Sequence, residues 1–373
     1  MSHLLIHILI KWIDLLALTP LIGIFVCKIF IPSSLKEPRD FRGVDMISLS
    51  ILILGMTTLA ELIARAMMIS GRPFSALQMV LPSVITRTYF GPVLAVRFSL
   101  VILLGLLLIP QKYDKGKRMP EGILLLALCF TTSLLGHAGS QGTFTIRVFI
   151  DTVHLIAISC WIGGLLFLIL SLPKQLVDES NKTVLLADAI ARFSTIATTS
   201  VGILIATGVV NSFFQIDSMG RILTTAYGKV LVLKWGFLLP MLLLGFINKY
   251  IVLPKFQEQG KGKKASDMNE TFYEGEAPSA LPMEGATRAP VMIESILKWA
   301  RVTNTPSDLT NLFFRLIRTE AVLGVVILLL TACLTQLSRD RNIVEHQPAH
   351  ARMLLNDFRA NPVPPLSQHL GIS

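Results

Sequence analysis

Apolar residues along this chain neither alternate nor keep to one stripe; they fill long blocks, each closed by a cluster of polar and charged positions. A hydrocarbon layer about 30 Å thick asks this of a helix rising 1.5 Å per residue, roughly 20 residues per crossing. Eight blocks are expected to form helices, at residues 3–31, 45–69, 93–110, 120–138, 147–172, 190–216, 227–250 and 312–337. Helices are required because lipid leaves no partner for open backbone groups, and the alternating pattern of a barrel strand is missing. The expected architecture is all-α: a polytopic transmembrane helix bundle of about eight spans with both termini outside.

The blocks divide the chain into an N-terminal four-span half (1–138), a core of spans five to seven (139–250), a long cytoplasmic loop (251–311), a last span (312–337) and an outer C-terminal tail (338–373). The loop is polar and rich in Gly, Pro and charges of both signs, the composition of a disordered segment. It closes on VMIESILKWA, whose apolar spacing suits a short amphipathic helix on the inner leaflet. The first block lacks a basic leader and a small-residue cleavage site, so it is expected to remain as a span. Lys11 and Asp14 interrupt it three residues apart, close enough to pair or to meet polar groups of a neighbouring helix.

Composition agrees with the pattern: 52% of residues are hydrophobic, 16% are charged, and mean hydropathy is +0.63. The net charge of +10 lies mainly in alternate loops. Lys36, Arg39 and Arg42 fall in the first, Lys112, Lys115, Lys117 and Arg118 in the third, Lys174 and Lys182 in the fifth, and Lys249, Lys255, Lys261, Lys263 and Lys264 in the seventh. Basic short loops face the cytoplasm, which puts the other loops and both termini outside, while Arg339 and Arg341 just beyond the last block leave a seven-span alternative. The positive charge is thereby a topological signal and implies no nucleic-acid partner. GxSxG, P-loop and HExxH patterns are all missing, so no enzyme is expected. Cys27, Cys129, Cys160 and Cys333 lie within spans as small buried residues, with no CxxC pair among them.

The candidate chemistry rests on histidine. His3 and His7 open the first span, His137 closes the fourth, His154 opens the fifth, and His346, His350 and His369 lie in the tail; on this topology all seven face outward. His3 and His7 are four apart and share one helix face. In DTVHLIAISCWIGGLL, residues 151–166, Asp151 and His154 are three apart and Trp161 returns to nearly the same face. A carboxylate so placed orients an imidazole or shares its metal. Methionines Met67, Met68, Met79, Met219 and Met353 fall on the same side. Imidazole with thioether suits copper better than magnesium or calcium. The candidate metal ligands are therefore His137, His154, His7, His3, Asp151, Met67 and Met68. Glu61 and Arg65, four apart, are expected to form an ion pair, Gly163 and Gly164 to permit close helix packing, and Glu320 to serve as a packing or relay group.

GHAGS, DTVHLIAISCWIGGLL, RFSTIATTSVGILIATGVVNSF and TTAYGKVLVLKWGFLLPMLLLGFINKY follow one another in order, with RLIRTEAVLG in the last span. This ordered string resembles the membrane domain of the copper resistance protein D family (CopD). The resemblance implies a multi-pass protein of the bacterial inner membrane. Such a protein handles copper ion delivered from the periplasm, beside a soluble copper-binding partner (CopC-like). It points to His137, His154 and Trp161, with Arg192, Asn211, Tyr227, Lys229 and Lys234 as further motif positions. The expected function is copper transport or homeostasis, with capture at the outer face and inward passage through the bundle. A haem-binding electron carrier with outer-side histidine ligands is the alternative, since histidines on neighbouring helices also clamp haem iron.

Overall fold

The computed structural model describes residues 2–30, 42–71, 74–108, 118–136, 138–139, 142–171, 182–215, 223–258 and 306–345. Nine α-helices account for nearly all of them: α1 Ser2–Phe30, α2 Arg42–Ser70, α3 Leu77–Arg87, α4 Phe90–Leu108, α5 Arg118–Leu134, α6 Ile146–Ser171, α7 Lys182–Gln215, α8 Ala226–Ile247 and α9 Pro306–Glu345. No strand occurs among the described residues. Of the loop expected at 251–311, both ends are helical, 251–258 continuing from α8 and 306–311 opening α9, while 259–305 with the amphipathic segment, and the tail with His346, His350 and His369, lie outside the described residues.

Seven helices are long and apolar enough to cross a membrane, all but α3 and α5. The eighth expected pass is α5, whose 17 residues rise only about 26 Å. It still runs antiparallel to α1 over that length: Gly122 faces the Phe25 ring near one end, and Thr132 offers its carbonyl to Lys11 near the other. α3 was not foreseen. It is an 11-residue helix whose Val80 and Val84 pack on Ala66 of α2, and it is too short to cross.

The first half of α1 packs along α9. Trp12 of α1 donates its indole N–H to the Val325 carbonyl of α9 at 3.2 Å, and Ile10 and Lys11 share a small cavity with Thr335 and Gln336. α1 and α9 therefore lie antiparallel, as an even number of passes requires. Side chains such as Leu52, Leu106, Phe149, Val209, Leu239 and Val322, on six different helices, are each more than half exposed. Such an apolar perimeter belongs in contact with lipid, and the chain is a multi-pass membrane protein.

Packing centres on α1 and α6, which cross at glycine. A Cβ on Gly163 would lie 2.2 Å from the Thr19 carbonyl oxygen, and one on Gly23 would lie 2.1 Å from the Gly163 carbonyl carbon. Gly164 makes the same allowance for the Phe193 ring of α7. Small residues let two backbones touch, the main source of helix association where no hydrophobic drive exists between helices.

Buried charges are answered across helices. Arg97, 1% exposed, donates to Asp14 Oδ1 at 2.8 Å and to the Leu128 carbonyl and two threonine hydroxyls of α5. Thr57 also donates to Asp14 Oδ1. Both expected arrangements of Lys11 and Asp14 occur: the two lie 4.0 Å apart, and each also meets polar groups of neighbouring helices, Lys11 donating to the Thr132 carbonyl at 3.5 Å. The expected Glu61–Arg65 pair closes at 2.6 Å, and Arg65 also reaches the Leu135 carbonyl and the Phe90 ring.

Gly163→Val forces a side chain against backbone that cannot rotate away; a loss of at least about 1–3 kcal/mol is expected, read as a lower Tm in detergent. Removing one member of the Asp14–Arg97 pair, as Arg97→Leu, should cost about 3–5 kcal/mol, whereas Asp14→Leu/Arg97→Leu together should cost far less. A double variant as unstable as Arg97→Leu would show that the lost hydrogen bonds dominate and the stranded charge does not.

Candidate functional site

α6, α7, α8 and α9 enclose a cavity of about 600 Å³ at the end of the bundle that holds the start of α1. Its position follows from local sequence. α6 sends Asp151, His154, Ile158 and Trp161 to one face, at helical spacing; α7 adds Gly208 and Asn211, and α8 adds Tyr227, Lys234 and Met241. The start of α8 is set by Thr225, whose hydroxyl accepts the Gly228 N–H as an N-cap and so fixes where Tyr227 and Lys234 stand.

His154 is oriented by α7. Its Nδ1 lies 2.8 Å from Thr207 Oγ1, and the Thr207 hydroxyl donates to the Ile203 carbonyl at 2.6 Å. With that hydroxyl proton committed, the threonine oxygen accepts from Nδ1–H, and Nε2 is left with its lone pair. A neutral imidazole fixed through one nitrogen presents the other as a metal ligand. The position facing the ring is Gly208, where even an added Cβ would lie 3.6 Å from His154 Cε1. Asp151 lines the same cavity, but Thr207 takes the orienting place expected for it. Lys234 lines it too and lies within electrostatic reach of both Asp151 and His154.

The other expected ligands are differently placed. His137 lies outside the described residues, as does the side chain of His3. His7 is buried, with Nδ1 3.5 Å from Glu61 Oε2, and belongs to the ion-pair cluster of α1 and α2. Met67 and Met68 occupy the last turn of α2, Met68 exposed. Among the described residues no three His, Cys, Asp or Glu side chains gather as a metal-holding group.

Of the motif positions, His154, Trp161, Asn211, Tyr227 and Lys234 converge on this cavity. Arg192 and Lys229 do not: Arg192 is exposed, paired with Asp188 at 3.0 Å and bonded to the Phe30 carbonyl, and Lys229 is exposed near the start of α8. Two residues of the site escaped the sequence reading. Thr207 sits inside the TGVxN string, one residue before the glycine that faces His154, and only the α6–α7 contact reveals its task. Met241, fully buried, lies far from the histidines in sequence and was invisible to a search for outer-side thioethers.

Comparison with known proteins matches segments on either side of α6. Residues 187–274 match copper resistance protein D, and residues 1–146 match the N-terminal domain of copper resistance protein D-like proteins. The copper transport protein CutJ of Bacillus subtilis (strain 168) is 32% identical over 243 residues, covering 62% of this chain and 44% of that protein. The chain thus spans less than half the length of this relative. No solved structure matches the chain. The haem alternative finds no support in these matches. With matched segments at both the N-terminal half and the cavity-forming core, the chain belongs to the copper resistance protein D family.

Proposed function

We propose that this protein carries copper across the bacterial inner membrane, capturing it at the periplasmic face and passing it inward, as a carrier with no enzymatic step. The single observation that carries this is the cavity that brings His154 together with Trp161, Asn211, Tyr227 and Lys234 while leaving Nε2 open toward it. Basic loops join the helices at the end opposite to His154, so the positive-inside rule turns the cavity outward. Copper as Cu(I) or Cu(II) accepts imidazole nitrogen, and Met241 adds a buried thioether to the same wall.

In this scheme His137, three residues beyond α5 in the sequence, supplies a second imidazole, and Asp151 a carboxylate. His3, Met67 and Met68 stand at the same end of the bundle and act as ligands of approach, while His7 stays buried against Glu61, with a soluble periplasmic copper-binding protein (CopC-like) delivering the ion. Lys234 sets a limit on the site: its ammonium repels a cation unless Asp151 balances it, so the carboxylate is needed for charge as much as for ligation.

Copper uptake by cells expressing His137→Ala/His154→Ala should fall to the empty-vector level; uptake equal to wild type overturns the proposal. Thr207→Val keeps every direct ligand but frees the ring, and copper affinity of the purified protein should weaken by about 10- to 100-fold. Titration with copper(I) under ascorbate checks this, and an unchanged affinity would remove Thr207 from the site.

A further inference from the structure

A second cavity, of about 210 Å³, lies among α6, α7, α8 and α9 farther along the bundle, and Trp161 lines both it and the His154 cavity. The indole is 3% exposed. It stands as the wall that two voids on the same four helices have in common.

The far cavity has its own polar centre. Glu320 of α9 is 2% exposed, and Asn248 donates to one of its carboxylate oxygens through Nδ2. Among the described residues no lysine or arginine pairs with this carboxylate. Lys249 and Tyr250 are the other titratable groups of the cavity, and the Lys249 ammonium donates to Thr198 Oγ1 at 2.9 Å. Asn248 Oδ1 is buried with no hydrogen-bond partner. Asn248 also opens the π-turn Asn248–Val252, a widened turn that lets Asn248, Lys249 and Tyr250, three consecutive residues, all line one cavity. Such turns inside α-helices concentrate at functional sites.

A carboxylate buried at membrane depth without a cation is costly, so it holds a proton or meets a passing cation. We propose that Glu320 and Asn248 form a second cation station, divided from the His154 cavity by Trp161 as the barrier. This rests on the carrier function proposed above. The shared chemistry is an oxygen pair for a cation in transit, which is either the copper ion itself or a proton exchanged for it.

The test uses the full chain in proteoliposomes with copper(I) under ascorbate, comparing wild type, His154→Ala, Glu320→Gln and Trp161→Ala. Glu320→Gln should keep wild-type affinity at the His154 cavity yet lower initial uptake by about 10- to 100-fold. One copper fewer per chain then assigns the station to copper; an unchanged copper count, with uptake no longer varying with pH, assigns it to the proton. Trp161→Ala joins the cavities and should raise copper leak from preloaded vesicles above wild type. Wild-type uptake by Glu320→Gln, with His154→Ala inactive, overturns the second station and leaves the carrier standing. Wild-type uptake by His154→Ala overturns both. Should Glu320→Gln fail to retain the His154-site affinity, the leak of Trp161→Ala decides: increased leak supports the barrier, and unchanged leak overturns it.

Discussion

Hydrocarbon supplies no hydrogen bonds, so every polar group carried into this bundle must find its partner on another helix or leave a cost of several kcal/mol. That constraint explains the arrangement of the first five helices. Arg97 spends its donors on Asp14 and on the end of α5, and Arg65 spends its own on Glu61 and the Leu135 carbonyl. Those contacts tie α1, α2, α4 and α5 together at the histidine end, where apolar packing alone would leave their register open. The cation–π contact of Arg65 with Phe90 adds the start of α4 to the same knot.

The functional half obeys the same rule, and in both halves a few buried atoms go unanswered, Thr19 Oγ1, Arg65 Nη1 and Ser133 Oγ in the scaffold and Asn248 Oδ1 in the functional half among them. His154 has one ring nitrogen satisfied and the other open to a cavity. Glu320 accepts from a single amide, and the oxygen of that amide is unanswered. In a lipid-embedded bundle such atoms are where a charged guest gains most, because binding supplies the partner that the fold withholds. The proposed stations therefore lie on α6 to α9, while the ionic knot on α1 to α5 holds the scaffold. The Gly23–Gly163 crossing joins the halves, since α6 carries both the histidine and the tryptophan that face the cavities and is pressed directly on α1.

Much of this was legible in the residues. Long apolar blocks marked eight of the nine helices; α5 was counted as a full span because its block was taken to run over 120–138 whereas the helix ends at Leu134, and the 11-residue α3 is too short to make such a block. The Glu61–Arg65 pair and the glycine contact of α6 were readable from spacing on a single helix. So was the shared face of Asp151, His154 and Trp161. For Asp14 the residues left two readings open, a pair with Lys11 or a contact with a neighbouring helix, and the structure has both: Lys11 at 4.0 Å and, closer, Arg97, 83 positions on, at 2.8 Å.

What the sequence determined by itself is whatever depends on one helix at a time: which segments enter lipid, which residues share a face, and which end carries the histidines. The tertiary structure decided which faces meet. It gave His154 to Thr207, His7 to Glu61, Asp14 to Arg97 and Asn248 to Glu320, and it put Trp161 between two cavities. The reason is physical: periodicity orients a side chain about its own helix axis, but a partner is chosen by how the helices rotate and slide against one another, and here glycine contacts and buried charge set that choice.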